Sequence, residues 1–247
     1  MINKEKFADA VACAISYGVE GKIGTLGEKS LHRALKYYFE PNERKHEVPY
    51  LGAVADIKNE NGIIEIQTRA FNKLKPRLES FIEHEKVSIV FPIIENKTVC
   101  RIDVESGETV SIRKSPKRGR ASDCLAELAK IRDFLLNPNL TVILVFLDAT
   151  ETRMSNGRIK VGRKKTDKID CIPTAINSIL TLSSSKDYYS VLPRALPDKF
   201  TSAQFEKITG FRAIDKHSSL MLLLQLGVLT REKKDGREYV YSISDKL

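Results

Sequence analysis

Two predominantly apolar runs, residues 87–94 and 141–147, constrain this 247-residue chain more than any other feature. A strand with one wet face alternates apolar and polar residues, whereas a run without alternation needs cover on both faces, as at the centre of a sheet packed between helices. Both runs fall far short of the ~20 residues that span a bilayer, so no membrane crossing is expected. The start of the chain, Met1 to Phe7, mixes charges of both signs and has no small-residue cleavage site; it reads as a first helix of a cytoplasmic protein. Cys13, Cys100, Cys124 and Cys171 are far apart, with no C-x-x-C pair and no His at zinc spacing, which predicts four reduced packing residues.

Around the two runs, apolar spacing predicts helices over residues 4–17 and 26–39, joined by a glycine-punctuated loop. Runs at 51–57 and 63–68 flank Asn59-Glu60-Asn61-Gly62, a hairpin signal. A helix at 75–84 leads into the strand at 87–94 as a crossover. A hairpin at 98–103 and 109–113, a helix at 122–136, a strand at 140–149 and a short helix at 173–182 complete residues 1–182 as an α/β unit with a mixed central sheet flanked by helices. The composition changes at Ser183-Ser184-Ser185-Lys186, and Pro193 and Pro197 follow, which places a domain boundary there. Residues 183–247 then read as a linker and a small winged helix: a helix at 201–208, a break at Gly210, a helix at 213–226 and two strands about Asp235-Gly236.

The hairpin carries the candidate site. A turn about Glu60-Asn61 sets Asp56 opposite Glu65, and cross-strand neighbours have Cβ atoms only ~4.5–5.5 Å apart. Two carboxylates so placed repel each other, and a divalent cation such as Mg²⁺, or Mn²⁺, would relieve this while leaving positions for water and phosphate. The alternative is two rim carboxylates, each beside a surface cation. Gln67 shares a strand face with Glu65. Glu28 adds a third acid, either as an auxiliary ligand or as the last residue of a capping box begun by Thr25.

Gly27-Glu28, Ala55-Asp56 and Glu65-Ile66-Gln67, followed by a crossover helix and a buried strand, resemble the PD-(D/E)XK, or restriction endonuclease-like, nuclease superfamily. The resemblance implies Asp56 and Glu65 as metal ligands, Gln67 at the position usually held by Lys, and Glu28 as an auxiliary acid, together forming the catalytic set. Gln67 departs from the pattern by lacking the positive charge. A second resemblance covers nearly the whole chain. Through Thr68-Arg69-Ala70-Phe71, Ser111 to Arg120 and Leu192 to Thr201, it resembles a family of uncharacterised bacterial proteins with a domain of unknown function.

The net charge of +9 comes from 41 Lys and Arg against 32 Asp and Glu, and it is concentrated. Arg113, Lys114, Lys117, Arg118 and Arg120 form one acid-free run. Arg153, Arg158, Lys160, Arg163, Lys164, Lys165 and Lys168 form a second, against Asp167 alone. Such clusters are the electrostatic footprint of nucleic-acid binding, although each could instead be a solvated loop. With Arg69, and with Lys216, Ser218 and Ser219 on the polar side of the expected recognition helix, they form the predicted DNA contacts. Met221, Leu222 and Leu224 would pack inward. The wing, with Arg231, Lys233, Lys234 and Arg237 against three acids, is nearly neutral, which also suits protein contacts. No P-loop, paired-His motif or Gly-x-Ser-x-Gly elbow is present. The expected function is metal-dependent hydrolysis of DNA phosphodiester bonds, with double-stranded DNA as partner and room for a homodimer. An inactive nuclease-like DNA-binding or regulatory protein is the alternative, and RNA remains open as substrate.

Overall fold

The computed structural model describes residues 2–20, 30–103, 106–160, 163–236 and 238–244, without the side chains of 17–20, 155–160, 163–166, 233 and 235. Helices α1 (Lys4–Glu20) and α2 (Ser30–Phe39) precede the hairpin of β1 (His46–Tyr50), β2 (Ala53–Asn59) and β3 (Gly62–Ile66). Helix α3 (Lys75–His84) crosses to β4 (Val87–Ile102), which turns into β5 (Thr109–Lys114). After α4 (Leu125–Leu128) come the two longest strands, β6 (Leu140–Lys160) and β7 (Arg163–Leu182). Together these strands form one seven-stranded sheet in the order β1-β2-β3-β4-β6-β7, with β5 on β4 beyond the end of β3. Pairs β3/β4 and β4/β6 are parallel and the others antiparallel, so the sheet is mixed.

The absence of alternation in the two apolar runs has the expected cause. Ile89, Phe91 and Ile93 of β4, with Val142 and Leu144 of β6, pack on one face against Leu78 and Phe81 of α3 and Leu125 and Leu128 of α4. Val90, Val145 and Leu147 pack on the other against Phe7 and Ala14 of α1 and Leu35 of α2. Among the described residues no helix is long and apolar enough to cross a membrane, and the four cysteines are unpaired.

Several elements differ from the sequence expectation. Residues 173–182, expected as a helix, are the end of β7 and pair antiparallel with β6 from Pro173↔Ala149 to Leu182↔Val142. Two register shifts, between Phe146/Leu147 and Asp148/Ala149, insert extra residues on the β7 side, so the apolar spacing becomes three and imitates a helix. The expected helix at 122–136 is broken into 3-10 turns around the short α4; Leu125, Leu128 and Ile131 recur every three residues, which serves a 3-10 turn as well as an α-helix. β1 was not expected; Pro49 within it is tolerated because β1 lies at the sheet edge. The second basic cluster is a pair of strands, not a loop.

β8 (Lys199–Thr201), α5 (Ser202–Thr209), α6 (Ala213–Gln225), β9 (Leu229–Asp235) and β10 (Glu238–Ile243) follow, with the strands in the antiparallel order β8-β10-β9. Thr201 caps α5 reciprocally with Gln204, and Gly210 ends it at φ +70°. Phe200, Phe205 and Tyr241 stack at 5.9 Å between ring centroids. Phe205, Leu220 and Leu223 belong to the same apolar cluster as Leu125 and Leu128, so the core continues from the large sheet into this segment.

Gly62 opens β3 at φ +116°, and a Cβ there would lie 2.2 Å from the Lys86 carbonyl oxygen. Gly62→Ala is therefore expected to destabilise the protein by about 1–3 kcal/mol, seen as a lower urea midpoint. A fall of under about 0.5 kcal/mol would show that the hairpin shifts freely at this point.

Candidate active site

The hairpin register, Ile57↔Ile64 and Asn59↔Gly62, carried one residue further sets Asp56 opposite Glu65. The ladder gives way to side chains there. Glu65 Oε1 accepts from the Asp56 backbone N–H at 3.4 Å, and Asp56 Oδ2 accepts from the Ile66 N–H at 2.7 Å. Both carboxylates are buried, with 8% and 1% of their residue surfaces exposed.

Helices from opposite faces of the sheet reach this pair. Arg77 of α3 places Nη2 2.7 Å from Glu65 Oε2, and His32 of α2 places Nε2 3.3 Å from Asp56 Oδ2. Apart from the close Arg77–Glu65 contact, Glu65 Oε2 and Arg77 Nε have no hydrogen-bond partner among the described residues. Within the chain the pair is thus contacted by an Arg and a His.

Burial pushes the Glu65 carboxyl up to about 8, the Asp56 charge pushes the same way, and Arg77 offsets only part. Burial acts on Asp56 too, but His32, the Ile66 N–H and Arg77 outweigh it and hold that carboxyl below its ordinary value. Near neutral pH Asp56 is the ionised member and Glu65 holds a proton.

Gln67 lies just beyond β3, its backbone N–H bonded to the Val90 carbonyl at 2.9 Å. Its side-chain amide donates to the carbonyls of Arg69 and Ala70. It thereby fixes a loop in which Ala70 sits at φ +60°, a conformation that favours glycine. Beside this loop a cleft of about 350 Å³ is lined in part by His32, Thr68, Arg69, Lys168 and Cys171. The cleft lies at the carboxyl end of β3, where ligands of open α/β sheets commonly bind.

The remaining predicted residues separate into groups. Glu28 lies outside the described residues, as do the side chains of Arg163, Lys164 and Lys165. Arg113, Lys114, Lys117 and Arg118 are exposed, and their segment is laid on the edge of β4 through Ser115 N–H to Lys97 O at 2.7 Å and Gly119 N–H to Ile94 O at 2.8 Å. Gly119 is required for that approach, since a Cβ would come within 2.5 Å of the Ile94 oxygen. Arg120 turns away from the run and donates to the carbonyls of Ile208 (2.9 Å) and Thr209 at the end of α5. Lys216 is paired with Glu206 at 2.5 Å, and the Ser218 hydroxyl donates to Ile214 O at 2.9 Å. Ser219, expected on the polar side of α6, is fully buried beside Leu220, Leu222 and Leu223, while Leu224 is only half-buried. The helix is therefore rotated from the sequence expectation.

Arg120→Ala removes two bonds from a charged donor to the last carbonyls of α5. Because Arg120 is half-exposed, the expected loss is about 1 kcal/mol, read as faster amide hydrogen exchange across residues 202–210. Exchange unchanged there would assign the helix end to Gly210 alone.

Two oxygen donors face each other at the hairpin, and magnesium is commonly held by one or two carboxylates with water and phosphate completing its shell. In that sense Asp56 and Glu65 fit a divalent cation. Among the described residues no group of three or more His, Cys, Asp or Glu is arranged to hold a metal. His32 and Arg77 had no signal in the sequence, because each reaches the pair from a separate helix.

The fold and site thus define a mixed α/β protein with a buried acid pair beside a cationic cleft. Residues 29–183 match a family model described as Domain of unknown function (DUF8091), and the chain belongs to that family. An uncharacterized protein of Treponema pallidum (strain Nichols) is 26% identical over 226 residues, 89% of this chain and 86% of that protein. No solved structure matches.

Proposed function

We propose that this protein binds duplex DNA and hydrolyses its phosphodiester bonds, with Asp56 and Glu65 holding Mg²⁺ or Mn²⁺. On this reading the large sheet is a PD-(D/E)XK nuclease core over residues 1–182. Residues 183–247 then supply a linker and a winged helix that orients the DNA. The observation that carries the reading is the buried Asp56–Glu65 pair beside a cleft bearing Arg69 and Lys168. A bound cation would polarise the phosphate as a Lewis acid. Asp56 offers an ionised oxygen, and Glu65 offers a second once its proton leaves. Arg69 and Lys168 attract the phosphate into the cleft, Gln67 keeps the 68–70 loop open beside it, and the exposed cations of 113–118 hold the flanking backbone. The test is nicking of supercoiled plasmid by the native chain and by Glu65→Gln.

Two features favour a second reading, a DNA-binding protein that does not cut. Arg77 and His32 already contact the acid pair, and the Gln67 side chain is committed to loop carbonyls. Salt-sensitive duplex binding without nicking in either protein would select it.

A further inference from the structure

Resting on the DNA reading above, we propose that the joined ends of β6 and β7 form a basic ribbon that enters the major groove of duplex DNA. Met154 is the last β6 residue that β4 pairs. Beyond it, among the described residues, β6 and β7 pair only with each other, from Ser155↔Thr166 through Ile159↔Lys164 to Lys160↔Arg163. Residues 155–160 run against the four residues 163–166, with two extra β6 residues taken up at a register shift, so at about 3.3 Å per residue the ribbon reaches roughly 13 Å past the sheet.

Five of the cluster's cations, Arg158, Lys160, Arg163, Lys164 and Lys165, fall on the ribbon, and residues 155–166 contain no acid. The other two stay at its base, where the buried Glu151 draws in Arg153 at 2.6 Å and Lys168 at 3.5 Å. Lys160 and Arg163 occupy facing register positions, and positions two apart on a strand share a face. Positions 160, 163 and 165 thus share one face of the ribbon, and all three are cationic, while Arg158 lies within a register shift between Ser155 and Ile159. A major groove about 12 Å wide admits a two-stranded ribbon, and its walls are phosphates. The deep, narrow major groove of duplex RNA does not admit one.

The test is fluorescence anisotropy of a labelled DNA duplex, without divalent cations, across a salt series. The native chain is compared with a variant combining Lys160→Ala, Arg163→Ala and Lys165→Ala. The variant is expected to bind at least about tenfold more weakly at low salt, and its log–log salt slope should be smaller by roughly 2–3, close to one unit per lost phosphate contact. Methyl green, a major-groove ligand, should compete with the native chain, distamycin in the minor groove should not, and an RNA duplex of the same sequence should bind far more weakly. A variant with lowered thermal stability is replaced by Lys160→Gln with Arg163→Gln, which keeps side-chain bulk.

Unchanged affinity and slope, displacement by distamycin, or equal RNA binding overturns the ribbon proposal. If the ribbon variant binds like the native chain while the native chain nicks plasmid, the proposal alone has failed. If binding depends on the ribbon but nothing is cut, the hydrolysis reading alone has failed. A native chain that binds no duplex overturns both.

Discussion

Nicking of supercoiled plasmid in Mg²⁺ or Mn²⁺ is expected to fall at least about 100-fold in Glu65→Gln, the scale on which one charged contact to a reacting centre acts. The substitution keeps the length of the side chain and the oxygen that accepts the Asp56 N–H, so the hairpin stays closed. It removes the second anionic oxygen that a hard cation needs. Duplex binding should be preserved, because Glu65 is fully buried and the exposed cations are on other segments. Asp56→Asn should lose nicking as well. A gain in thermal stability on adding Mn²⁺ to the native chain, absent from both variants, would link the loss to cation binding. Equal nicking by native chain and Glu65→Gln would remove the hairpin from any catalytic role.

The same residue should make folding stability fall as pH rises between about 5 and 8. The Glu65 carboxyl sits at about 8 in the folded protein and at 4.5 in its ordinary state. Between those values the folded chain holds a proton that the unfolded chain has released. Stability therefore drops by up to roughly 1.4 kcal/mol per pH unit through this window. Asp56 acts in the opposite sense, since its lowered value gives stability above its ordinary pKa of 3.8 that is lost only in acid. Urea midpoints measured from pH 5 to pH 9 should decline for the native chain and run flatter for Glu65→Gln, which carries no titrating group. Matching slopes for the two proteins would mean that Arg77 keeps Glu65 ionised throughout.

What could be read from the sequence was local. Asp56 and Glu65 are joined by a short turn, so Asn59 and Gly62 set their register before any packing is known. The α3 boundaries and the two-faced burial of β4 followed from spacing in the same way. Arg77 and His32 come from α3 and α2 on opposite sides of the sheet, and no spacing rule connects either to the pair. The end of β7 was misread because its bulges changed a strand period into an apparent helical one. Ser219 was misplaced because the buried face of α6 is fixed by α4, far away in sequence.

The family model stops at residue 183, yet the cluster around Leu125 and Leu128 is completed by Phe205, Leu220 and Leu223 from beyond it. In evolutionary terms the two parts are not interchangeable cassettes. A recombination event that joined this module to an unrelated tail would leave Leu125 and Leu128 facing water, and descendants would survive only where the new tail brought a matching apolar surface or those leucines had already become polar. Substitutions at these positions should therefore track the tail that follows them.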